Sequence, residues 1–151
     1  MRKVLALLAA LTVTGFTSPP PATTQQAGPP RAVKVIVNAD NPVGLLKASD
    51  ISKLFLRKTP AWYDGQVVMP VDQPEGSSLR AAFVREIHQK PSVALKAYWQ
   101  QQIFAGRATP PVELPSDAEV MDYVRQHPTA IGYVSAAAQL TPDLKPITIL
   151  H

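Results

Sequence analysis

Apolar residues along this chain recur at two spacings, and stretches of the two spacings follow one another in turn. Val33, Val35 and Val37 alternate with Lys34, Ile36 and Asn38, a mostly apolar run that suits a strand buried on both faces. Asn41-Pro42 ends it. From Ser49, a good N-cap residue, the spacing becomes helical: Ile51, Leu54 and Phe55 share one face, Arg57-Lys58 bring positive charge to the C-terminus, and Pro60 stops the helix. Trp62-Tyr63-Asp64-Gly65 is a turn signal, with Trp62 expected as an apolar plug beneath the loop. A short apolar strand follows from Val67 to Val71. It breaks at Asp72-Gln73-Pro74-Glu75-Gly76, and a helix then carries Leu79, Phe83 and Ile87 at i, i+4 and i+8.

Lys90-Pro91-Ser92 breaks and recaps the chain, and the spacing predicts a helix over 92–104 with Leu95, Tyr98, Trp99 and Ile103 facing inward and Gly106 at its end. Ser116 and Glu119 have capping-box spacing ahead of the apolar stripe Val120, Met121 and Val124, and His127-Pro128 closes that helix. Ala130 to Val134 reads as a short buried strand whose Gly132 signals close approach of another element. A last strand is expected over 147–150. Strands and helices in alternation predict one α/β domain over 32–151, with a mostly parallel or mixed sheet.

What precedes the domain has a different character. Arg2-Lys3 followed by a 13-residue apolar run, Val4 to Phe16, reads as a secretory signal over 1–18, too short to span a bilayer. Five of the sixteen prolines then fall within 19–31, which reads as an extended linker. Export to the periplasm is the expectation. The absence of cysteine excludes disulfides, thiolate catalysis, cysteine-based zinc sites and a lipid-anchor cysteine. Setting aside Arg2 and Lys3 leaves 13 basic residues against 11 acidic, too mild a balance for a nucleic-acid partner.

Candidate chemistry concentrates in the stretch Val67 to Phe83. Gly76 supplies flexibility, Ser77 and Ser78 are good caps, and the first amides of the helix lack intrahelical acceptors. Strand, small-residue turn and helix N-terminus together make an anion-binding device, to which Arg80 would add a charged donor. An ordinary serine-capped β-to-α connection without a ligand produces the same pattern. A serine hydrolase is disfavoured: there is no Gly-x-Ser-x-Gly elbow, and His88 lies about three turns from the serines on the same helix. His88, His127 and His151 have no metal-ligand spacing and are expected at surface or capping positions.

These residues in this order resemble the phosphate-type periplasmic substrate-binding proteins of ABC importers. The matching pieces are Val35 to Asn38 with Asn41-Pro42; Asp50 to Phe55; Trp62 to Gly65 with Val68 and Pro70; Gly76-Ser77-Ser78 with Phe83; and Ala130 to Val134, spread over roughly residues 33 to 136. The resemblance implies a single lobe of a type II periplasmic-binding-protein-like fold, a mixed or parallel sheet flanked by helices, similar to the second-lobe portion of the two-lobed members. It implies a non-enzymatic protein without cofactor or metal, holding a phosphate-like oxyanion through Gly76, Ser77, Ser78, Leu79 and Arg80 for uptake or sensing. A membrane transporter or sensor is the implied partner, and a homodimer across the sheet's binding edge would stand in for the first lobe. The alternative is a ligand-free interaction module serving a transporter, porin or receptor. Family members carry Arg-x-Asp-Gly-Ser-Gly-Thr in this turn. Here Gln73 stands where they have arginine and Leu79 where they have threonine, which removes a bidentate charged partner and a hydroxyl donor.

Overall fold

A computed structural model describes residues 32–151. The expected signal segment (1–18) and proline-rich linker (19–31) lie outside the described residues. The principal sheet has five strands in the order β4 (Val112–Glu113), β3 (Met69–Asp72), β5 (Ala130–Ser135), β1 (Val33–Asn38) and β6 (Leu144–Pro146). Strand β1 pairs antiparallel with β5 and with β6. Strand β3 pairs parallel with β5 and with β4. The sheet is therefore mixed. A small parallel pair, β2 (Leu45–Lys47) with β7 (Thr148–Leu150), lies apart from it, and β7 is the last strand expected from the sequence.

The alternation in β1 has the predicted consequence. Val35 and Val37 face one side with their β5 neighbours Tyr133 and Ile131, and there they meet Ile51 and Phe55 of α1 (Ala48–Phe55) and Phe83 of α2 (Ser78–Phe83). Ile36 faces the other side with Val134, packed against Val120 and Val124 of α4 (Asp117–Gln126). Gly132 sits opposite Ile36 beneath α4. A Cβ there would lie 2.7 Å from Val120 Cγ1 and 3.3 Å from Val124 Cγ2, so the helix seats on the sheet only because that position is bare. Three aromatic rings fill the first core: Phe83 stacks on Tyr133 at 4.0 Å and 6° from parallel, and Phe55 lies 4.6 Å from Phe83. Trp62 is the expected plug, buried with its indole N–H donated to Thr129 O at 2.9 Å.

Four details depart from the expectations. Helix α1 starts at Ala48 after Lys47 with no side-chain cap, so Ser49 is inside the helix and not its cap. Asp72 ends β3 instead of belonging to the break, because Val71 and Asp72 pair with Val112 and Glu113. In α3 (Ser92–Phe104), Leu95 and Trp99 occupy the patch offered by Leu56 and Val84, while Ile103, one turn further, is 54% exposed. Finally, α2 runs on into a π-helical turn, Val84–His88, in which both Ile87 and His88 are buried.

Candidate functional site

The C-terminal end of β3 leads directly into the turn singled out by the sequence. Ser77 is the N-cap of α2: its Oγ accepts from the amides of Leu79 (3.2 Å) and Arg80 (3.3 Å) and donates its own proton to Gln73 Oε1 (2.9 Å). The side-chain Nε2 of Gln73 in turn donates to Asp117 Oδ1 (3.1 Å), and Asp117 Oδ2 accepts from the backbone amide of Ser135 (3.0 Å). The turn is thus tied to the first residue of α4 and the last of β5. Gln73, which stands where the resembling family has arginine, is buried and forms the hub of this chain of bonds.

Beneath it lies an ionic cluster. Asp72 is 5% exposed and accepts from Tyr133 Oη (2.5 Å) and from the amide of Gln73 (2.8 Å), and its other oxygen lies 3.3 Å from Arg80 Nη2. Arg80 Nη1 donates to Gln73 O (2.7 Å) and to Glu113 Oε1 (2.5 Å), the latter on β4. Burial raises the Asp72 pKa, and the Arg80 charge and the Tyr133 hydroxyl only partly oppose it. Burial also raises the Tyr133 pKa, with the neighbouring Asp72 carboxylate adding to the effect. Tyr133 is therefore a neutral hydrogen-bond donor here, held flat by the stacked ring of Phe83.

Of the five residues expected to form the site, Ser77, Leu79 and Arg80 come together through the Ser77 hydroxyl, while Gly76 and Ser78 are exposed on the turn. Nothing crowds Gly76, and it does not have a positive φ, so the turn does not require glycine there. Sequence reading missed Asp72, Glu113 and Asp117, which supply the acceptors, and Tyr133, which donates to Asp72. An aspartate directly after an apolar strand was the one local signal for them. Beside the cluster, Arg80 and Glu113 form one end of a groove of about 230 Å³ walled by Leu95, Trp99 and Ile103.

The histidines take other roles. His88 is a correction to the surface or capping expectation: it is 7% exposed, its Nδ1 lies 2.8 Å from Ser52 Oγ, and it packs edge-on to Phe83. Burial lowers its pKa to about 4. His127 stacks on Tyr123, with its Nδ1 2.8 Å from Tyr123 O at the end of α4. Among the described residues no group of three or more histidines and carboxylates is placed to hold a metal, and no helix is long and apolar enough to cross a membrane.

No protein-family model matches the chain, and no curated protein is significantly similar to it. Solved structures are similar in fold. An ABC-type phosphate transport receptor from Vibrio cholerae superposes with a TM-score of 0.62 at 17% identity, covering 78% of this chain and 46% of the receptor. A phosphate ABC transporter substrate-binding protein with bound phosphate, from Clostridium perfringens, gives 0.60 at 18% identity, covering 78% and 44%. PstS from Borrelia burgdorferi gives 0.59 at 12% identity, covering 78% and 47%. The chain spans less than half the length of each of these structures, and over that span it has the α/β fold of phosphate-type substrate-binding proteins.

Proposed function

We propose that this chain is a periplasmic, non-enzymatic protein of phosphate-binding type that takes a small oxyanion at the N-terminus of α2. One observation carries the reading: in a fold shared with phosphate transport receptors, a serine-capped helix begins just past the carboxyl end of a parallel strand, with Arg80 one turn in. Open α/β sheets bind ligands outside the carboxyl ends of their strands. An anion here would meet the backbone amide of the exposed residue Ser78, the Ser77 hydroxyl and Arg80, and would compete with the Glu113 carboxylate for Arg80 Nη1. With Asp72 and Glu113 both against one guanidinium, binding is weak and exchange fast.

Isothermal titration of the protein with phosphate and then sulfate tests this. Ser77→Ala weakens binding. Glu113→Gln tightens it about fivefold, because an exposed ion pair of about 1 kcal/mol no longer competes. Arg80→Ala is unsuitable, since it would leave the buried Asp72 carboxylate unpaired. No heat from either anion with folded protein, before or after Glu113→Gln, overturns the proposal.

The second reading is a ligand-free interaction module partnering a transporter, porin or receptor. It is favoured by the complete engagement of Arg80 with Asp72, Gln73 O and Glu113. A phosphate-insensitive crosslinked complex recovered from the periplasm supports it, and a protein that remains alone under those conditions counts against it.

A further inference from the structure

Arg57 and Arg107 stand where no carboxylate meets them. At the amino end of β3, opposite the Ser77 turn, the segments 57–60 and 107–109 enclose a hollow of about 320 Å³ floored by Leu54 and Val68. The polar residues that line it are Arg57, Arg107, Thr59 and Thr109, and no acidic residue lines it. Among the described residues Arg80, Arg85 and Arg125 each pair with a carboxylate, whereas Arg57 and Arg107 pair with none. Arg57 Nε is buried and has no hydrogen-bond partner, an unusual state for a donor on a cationic group.

Two helix ends set these residues in place. Helix α1 closes with Arg57 N–H donating to Leu54 O (3.1 Å) and Lys58 N–H to Lys53 O (2.9 Å). That double closure needs a left-handed residue, and Arg57 adopts φ +53° where glycine is the usual occupant. Helix α3 closes in the same way, with glycine in the corresponding place: Gly106 has φ +63° and donates to Ile103 O, and Arg107 N–H donates to Gln102 O, both at 3.0 Å. The carbonyl of Leu56 accepts from Tyr98 Oη at 2.7 Å. The end of α1 is therefore satisfied without the Arg57 side chain. Arg57 adds positive charge at this helix end, but its strained backbone and orphan Nε–H answer to no hydrogen-bond partner in the fold.

We infer that this hollow binds a tetrahedral oxyanion of phosphate or sulfate size, free or as the exposed phosphoryl end of a lipid headgroup, between Arg57 and Arg107. Guanidinium forks match the paired oxygens of such an anion, the two threonine hydroxyls supply further donors, and a dianion balances the two unpaired charges. The site shares no residue with the Ser77 turn, so either can fail without the other.

The test is an amide-resolved NMR titration of the full chain with inorganic phosphate and with sulfate, at constant ionic strength in chloride. Saturable shifts at Thr59 and at Arg107 to Thr109 are expected. They weaken at least tenfold in Arg57→Gly and in Arg107→Gln, and they are unchanged in Ser77→Ala. Arg57→Gly also melts about 3 °C higher than the parent, because glycine fits the left-handed position, so loss of binding there is not loss of fold. Sedimentation with vesicles containing phosphatidic acid separates the two sources: arginine-dependent binding to vesicles without shifts from free phosphate assigns the headgroup. Folded protein that responds to neither probe, or responses that survive both arginine substitutions, overturn the inference.

Discussion

Tyr133→Phe removes one hydroxyl and leaves the ring that stacks on Phe83 in place. That hydroxyl is buried, donates to Asp72 Oδ1 at 2.5 Å and accepts from the Gln73 amide at 3.2 Å. The amide keeps its shorter bond to Asp72 Oδ1 (2.8 Å), so the loss falls chiefly on the carboxylate. A hydrogen bond to a charged group contributes roughly 1.5–3 kcal/mol, so the variant should be about 2 kcal/mol less stable at neutral pH. For a domain of this size that is a fall of roughly 6–10 °C in Tm. The assay is urea unfolding followed by tryptophan fluorescence at several pH values, with an unchanged denaturant slope confirming that packing is intact. The raised Asp72 pKa makes its neutral form the better tolerated one in the fold, so its contribution favours folding at low pH and is lost as pH rises through the folded pKa. Once protonated, Asp72 no longer needs the tyrosine donor, and the gap between parent and variant should close in acid. A difference under about 0.5 kcal/mol at neutral pH, or a gap of constant size into acid, would refute the claim that Tyr133 supports an ionised Asp72.

His88 produces a pH dependence of the opposite sign. Its folded pKa lies at about 4, below the ordinary 6.5, so the unfolded chain takes up the proton first and stability falls as pH drops from 6.5 to 4. The loss amounts to about 3 kcal/mol, and the difference in unfolding free energy between parent and His88→Asn across that window isolates it from Asp72; a flat difference would count against a neutral buried imidazole. Gly132→Ala should cost about 1–3 kcal/mol by pushing Val120 and Val124 off the sheet, measured by chemical denaturation, and an unchanged midpoint would contradict the close seating of α4. Ser116→Ala should cost about 1 kcal/mol, since its Oγ accepts the Glu119 amide at 3.2 Å at the start of α4; the same denaturation measurement checks it.

Local periodicity determined the elements that depend on local chemistry. Helix α3 spans Ser92–Phe104 as its breakers imply, Ser116 caps α4, Ser77 caps α2, and the bare Gly132 marks close contact. The helix bounds and caps are settled by residues within one or two turns of each other, and Gly132 announced a close approach without naming α4 as the element that makes it. What needed the tertiary structure was everything set by strand register and helix placement. That β1 runs antiparallel to β5 is not encoded in the alternation of either strand, since both directions bury the same faces. Asp72 and Tyr133 are 61 positions apart and meet only because their strands are neighbours, and Glu113 reaches Arg80 from a third strand. The inward turn of His88 follows from a π-helical turn that no spacing announced, and the left-handed φ of Arg57 from the way α1 ends. Hydrophobic pattern states which residues leave water. Which charges then face one another, and which are left without a partner, is decided by the packing of segments distant in the chain.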